Sequence, residues 1–135
     1  MKIKYFEKKF ETMDLSELKI LQTERLKKTL KQKNFKDKDI EKIKIAQDIR
    51  NFPFTSKADL VNNYPLGLLS APLSDIIRIH ASSGTTGKPI VAAYTKRDIK
   101  IWSELMARVF CATGIVRGDI AQNAYGYGLF TGGLG

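Results

Sequence analysis

RIHASSGTTGKPIVAAYT occupies residues 78–95. Its flanks are apolar, and its middle is small, hydroxylated and glycine-containing before it closes on Lys88 and Pro89. Such a sequence reads as two strands joined by a loop. The turn-rich stretch GLLSAPLSD (67–75) leads into a β-branched run at 76–79, and PIVAAYT (89–95) supplies the second strand. Thr95 is then placed to cap a helix, with Asp98 at the matching position of a capping box. Ile99, Trp102, Leu105, Met106, Val109 and Phe110 follow at helical spacing and read as a core-facing stripe; Gly114 ends the helix. Arg117, Gly118 and Asp119 read as a turn, and 120–124 as a further short strand. Gly126, Gly128, Gly132, Gly133 and Gly135 then crowd the last stretch more densely than a strand end tolerates.

The residues before this region are helical in pattern. Over 14–31, Leu15, Leu18, Leu21, Leu26 and Leu30 fall near one face, and Asp14 with Glu17 forms an N-terminal cap pair. A second, lysine-rich helix is expected over 37–49, with Ile40, Ile43 and Ile45 or Ala46 as its apolar contacts. Pro53 stops the chain, Thr55 or Ser56 restarts it with Asp59 in the first turn, and a short helix runs to about Asn63, ended by Tyr64 and Pro65. The chain therefore divides into a helical region, 1–51, and an α/β region, 52–135.

The chain has 135 residues, of which 43% are hydrophobic, an ordinary figure for one globular domain. No apolar run is long enough to cross a bilayer, which needs about 20 residues. The start, MKIKYFEKKFE, lacks the apolar segment of a secretory signal. Cys111 is the single cysteine, so no internal disulfide forms; it lies among apolar residues and is expected to pack as a small hydrophobe. These features fit a cytoplasmic setting. The net charge is +9. Residues 1–44 carry 14 Lys and Arg against 8 Asp and Glu, so most of the excess sits there. The lysines alternate with acids around Tyr5, Phe6, Phe10 and Phe35, a pattern of solvated helix faces more than of a base-stacking groove.

The loop at 82–88 has its own chemistry. Glycine permits positive φ and removes the Cβ that would block a ligand. Successive N–H groups in such a turn form an anion-binding concavity, hydroxyls add donors, and Lys88 adds a charge. Charge-assisted hydrogen bonds contribute roughly 1.5–3 kcal/mol each, so several outweigh the ordering of a short loop. The common phosphate loop places four residues between its glycines and Ser or Thr after its lysine; here Gly84 and Gly87 enclose two, and Pro89 follows Lys88. A dinucleotide fingerprint is excluded because no helix opens at the loop, and in the tail Thr131 stands where the third glycine belongs. Composition alone leaves phosphate binding balanced against a plain hydrophilic hairpin.

The order S-S-G-T-T-G-K-P after a strand is more specific than its composition. It resembles the phosphate-binding motif of the adenylate-forming enzymes. With RIHASSGTTGKP, WSELMAR and QNAYGYGLFTGG in sequence order, the chain from about Phe52 on resembles the N-terminal part of the phenylacetate–CoA ligase family, with a looser likeness over 5–30. The resemblance implies an α/β fold, the incomplete N-terminal portion of the large domain of an adenylate-forming enzyme. It implies activation of an aryl acid such as phenylacetate by ATP and Mg2+ to an acyl-adenylate, then transfer to coenzyme A. By position, Ser82, Ser83, Gly84, Thr85, Thr86, Gly87 and Lys88 would handle the ATP phosphates. Tyr125 and Phe130, then Tyr127, with Gly132 and Gly133, would line the aryl-acid pocket. His80, the one histidine, is expected to support or orient the loop and not to act as a base.

Two departures from the family pattern stand out. An aromatic–proline segment usual there is missing where KTLKQ passes almost directly to KNFKDKD. The family enzyme is also several times longer, and its remainder would carry the adenine and ribose contacts, the magnesium ligand, most of the acyl pocket and a mobile domain with the adenylation lysine. The expectation is therefore a fragment that is inactive alone. The alternative is a non-catalytic module that holds a nucleotide, an RNA or a protein through the loop and the basic helices.

Overall fold

The computed structural model describes residues 4–84, 87–124 and 126. The chain is mixed helix and strand and forms two compact units. The first is Glu7–Phe54; the second runs from Thr55 onward, with the few residues before Glu7.

In the first unit, α1 (Lys8–Glu11) leads to α2 (Leu15–Gln32). Asp14 caps α2 by accepting from the Ser16 N–H at 2.7 Å, so the side-chain cap is made to Ser16 where the sequence suggested Glu17. The far end closes on Asn34, whose φ of 58° is left-handed. The Phe35 N–H donates to the Leu30 carbonyl (3.2 Å) and the Asn34 N–H to that of Lys31 (3.1 Å), the paired bonds of a Schellman stop. This reversal brings Phe35 onto Leu30. The core here is Leu30, Ile40 and Ile43, with Leu26, Phe35 and Phe52 against it, and Phe35 meets Phe52 edge-on at 5.3 Å. Leu18 and Leu21 are half-buried, while Leu15, expected on the packed face, is exposed.

The single helix expected over 37–49 is not formed. α3 covers Asp37–Ile40, and a separate 3-10 helix covers Ala46–Asn51. The break has a definite cause. The Asp48 carboxylate accepts from the N–H groups of Lys44 (2.8 Å) and Ile45 (3.1 Å). A continuous helix would need those donors for its own carbonyls one turn back. The break also lets Ile43 turn fully inward. Lys42 pairs with Asp39 at 2.9 Å and Lys31 lies 3.9 Å from Asp37, both on exposed side chains, where such pairs contribute little.

In the second unit, α4 (Lys57–Asn62) has the capping box expected of Ser56 and Asp59. A 3-10 turn, Leu73–Asp75, delivers the chain to β1 (Ile76–Ala81). β1 pairs antiparallel with β2 (Val91–Thr95), with His80 opposite Ala92, Arg78 opposite Tyr94, and an irregularity between Ile76 and Arg78. α5 (Lys96–Ala112) follows at once, capped by Thr95 and Asp98 as read from the sequence. Gly114, at φ 95°, ends it: the Ile115 N–H reaches the Phe110 carbonyl and the Gly114 N–H that of Cys111, both at 3.0 Å. Cys111 is half-buried.

α5 packs along β2, and the apolar stripe is used on one side only. Ile99, Trp102 and Met106 are half-buried, whereas Leu105, Val109 and Phe110 are exposed. Val116 to Asp119 form the expected turn, with Gly118 at φ 102° and the Val116 N–H donating to the Asp119 carboxylate at 2.8 Å. The strand expected at 120–124 is absent: the segment is irregular and Ile120 is fully exposed. A strand needs a neighbour to take its backbone bonds, and among the described residues the sheet has two strands. No helix of the described residues is long and apolar enough to cross a membrane.

Candidate functional site

The hairpin places the loop where the sequence put it, between β1 and β2, and closes it with side-chain chemistry. The Ser82 N–H donates to the Ile90 carbonyl at 2.9 Å. In return, the Ile90 N–H donates to the Ser82 Oγ at 2.8 Å. The hydroxyl thus does what a backbone carbonyl does in a regular ladder. An accepting hydroxyl still has a proton to donate, so Ser82 can hold the loop and face a ligand together.

Inside that closure, the Gly87 N–H donates to the Gly84 carbonyl at 3.0 Å. Gly84 has φ 67° and Gly87 φ 129°. A Cβ on Gly84 would stand 3.1 Å from the Gly87 carbonyl oxygen, so conformation and space both require glycine there. At Gly87 no described residue lies within 4 Å of such a Cβ, which leaves the backbone open toward them. Ser82, Ser83, Gly87 and Lys88 are exposed. Thr85 and Thr86 lie outside the described residues, as do Tyr125, Tyr127, Phe130, Gly132 and Gly133 of the expected aryl-acid pocket.

One residue near the loop was not legible as part of it. The Lys88 Nζ lies 5.5 Å from the centroid of the Tyr64 ring, over its face. Tyr64 follows α4, far from the loop in sequence, and reads there only as a helix stop.

Behind the loop, His80 is almost wholly buried. Its ring meets Tyr94 edge-on at 5.2 Å and Trp102 at 5.7 Å, and Tyr94 and Trp102 lie 5.4 Å apart. Neither ring nitrogen has a hydrogen-bond partner among the described residues. The histidine is therefore a packing residue that ties β1 to β2 and α5 two positions before the loop. Among the described residues, no three His, Cys, Asp or Glu side chains converge to hold a metal ion. What these residues offer chemically is an exposed, closed turn with open backbone, hydroxyls and one ammonium, a set suited to an anion.

No protein-family model matches the chain. It is 46% identical to a phenylacetate-coenzyme A ligase of Aromatoleum evansii over an alignment of 130 positions that covers 88% of this chain and 30% of that protein. It is 45% identical to one of Escherichia coli over an alignment of 136 positions that covers 93% of this chain and 31% of that protein. It is 42% identical to one of Thermus thermophilus over an alignment of 141 positions that covers 96% of this chain and 32% of that protein. The chain thus spans about 30% of the length of the curated relatives it matches. By sequence it belongs to the phenylacetate-coenzyme A ligase family and corresponds to the N-terminal part of such enzymes.

Proposed function

We propose that the chain supplies the ATP-phosphate loop of an aryl-acid–coenzyme A ligase, an enzyme that activates phenylacetate or a similar acid to an acyl-adenylate and passes the acyl group to coenzyme A. The closed turn between Ser82 and Ile90 carries this reading. It gathers Ser82, Ser83, Gly84, Gly87 and Lys88 at one exposed hairpin end, and Thr85 and Thr86 fall between its two glycines. Adenylation releases pyrophosphate, and donors already fixed before reaction stabilise developing negative charge without reorganising. Tyr125, Tyr127, Phe130, Gly132 and Gly133 are the proposed start of the aryl-acid pocket, where glycines leave room for a flat ring. Magnesium and the second half-reaction belong, in this reading, to the remainder of the enzyme, and the chain by itself does not turn over.

The test is a calorimetric titration of the chain with ATP and with inorganic pyrophosphate. Binding is expected, and Lys88→Ala combined with Thr85→Ala is expected to weaken it at least tenfold, about the effect of losing one charge-assisted hydrogen bond. Unchanged affinity in that variant would exclude the loop as the site.

A further inference from the structure

Resting on the phosphate-loop reading, we infer that Tyr64 is a positioning residue for the loop: its ring face holds the Lys88 ammonium ready for an anion. The two residues come from different parts of the second unit. Lys88 is exposed and follows the open Gly87. A free lysine side chain samples many rotamers, and ordering it on binding opposes affinity. Nζ lies 5.5 Å from the Tyr64 centroid, within the range of a cation–π attraction. That attraction uses one side of the ammonium and leaves its other protons for a ligand.

Tyr64 is itself held. The Tyr64 N–H donates to the Val61 carbonyl at 3.2 Å, and the Gly67 N–H donates to that of Asn63 at 2.7 Å. The Asn63 side-chain amide in turn donates to the Asp59 carbonyl at 2.8 Å. The ring therefore stands on a hydrogen-bonded turn at the end of α4, while its partner sits on a loop closed by Ser82 and Ile90. Two fixed backbones with one flexible side chain between them make a device for pre-organisation, which raises affinity by lowering the ordering cost.

The experiment measures inorganic pyrophosphate binding to the 135-residue chain in a double-mutant cycle. Tyr64→Leu should weaken binding about two- to fivefold, the range of an exposed cation–π contact. Tyr64→Phe, which keeps the ring, should not. In a Lys88→Ala background, Tyr64→Leu should have no further effect. The ε-methylene protons of Lys88 should also lose an upfield ring-current shift in Tyr64→Leu. An equal loss in both backgrounds would make Tyr64 a structural residue only and overturn the inference, as would full affinity in Tyr64→Leu with Lys88 present. A wild-type chain that binds no pyrophosphate is a different result: it removes the phosphate-loop reading and the positioning role with it.

Discussion

Ser82 and Ile90 exchange two hydrogen bonds across the mouth of the loop, one from backbone to backbone and one from the Ile90 N–H to the Ser82 hydroxyl. The serine is thus both part of the proposed anion site and the clasp that shapes it. Ser82→Ala leaves the Ile90 N–H without its acceptor and is expected to cost about 1 kcal/mol. Its signature should be local: amide hydrogen exchange at Ile90 should quicken while α2 amides keep their protection. Ser82→Thr keeps the hydroxyl and should restore the protection. Exchange at Ile90 that is unmoved in Ser82→Ala would show that the hydroxyl is not the clasp.

Gly84 and Gly87 both have positive φ but differ in what surrounds them. At Gly84 a methyl group meets the Gly87 carbonyl oxygen at 3.1 Å and must also adopt the left-handed region. Gly84→Ala should therefore cost about 1–2 kcal/mol from conformation alone, with the contact added. At Gly87 the methyl meets none of the described residues, so among them only backbone strain opposes it. Gly87→Ala should nonetheless weaken pyrophosphate binding, because the open backbone there is a proposed approach for the anion. Urea unfolding and pyrophosphate titration of both variants separate the two effects. Equal stability of Gly84→Ala and wild type would contradict the turn described.

His80 is buried, and neither ring nitrogen is partnered among the described residues. An unsatisfied polar group opposes folding, and replacing it by an apolar side chain of similar size removes that cost. The edge contacts with Tyr94 and Trp102 offset part of the gain. His80→Leu should therefore match the wild type in urea unfolding to within about 1 kcal/mol. His80→Ala should lose about 2 kcal/mol or more, because it leaves a cavity. A loss in His80→Leu as large as in His80→Ala would mean that a ring nitrogen makes a bond the protein needs.

Legibility tracked the range of the interactions. The caps at Ser56 and Thr95, the stop at Gly114 and the hairpin between β1 and β2 are written within a few residues of themselves, so the sequence displays them. The break at 41–45 is written locally too, in Asp48, but as a carboxylate competing for backbone donors, which apolar periodicity does not register. The segment 120–124 has the composition of a strand and no neighbour among the described residues. At the loop, the pattern of residues 82–88 revealed a candidate anion site, whereas Tyr64 became part of it only through tertiary contact. No spacing rule links a tyrosine after α4 to a lysine before β2.

Acid should act on this chain through its caps. The Asp59 carboxylate accepts from the Ser56 hydroxyl at 2.6 Å and from the Ser56 N–H at 2.7 Å, and these bonds hold its pKa below the ordinary 3.8. Asp14 is lowered by the Ser16 hydroxyl and N–H, and Asp48 by the N–H groups of Lys44 and Ile45. Asp39 is lowered by its hydrogen bond to Lys42. Each pKa falls on folding, so the unfolded chain binds the proton more readily. The stabilisation from each carboxylate is then complete above its unfolded value and is lost as pH falls through the lower folded value. Helicity by circular dichroism should be flat from about pH 8 to about pH 5 and fall below about pH 4. Asp59→Asn keeps an oxygen acceptor but no charge, and should remove the α4 share of that acid dependence while leaving the first unit's share in place. A profile in which Asp59→Asn titrates as the wild type would show that this cap contributes nothing to the acid response.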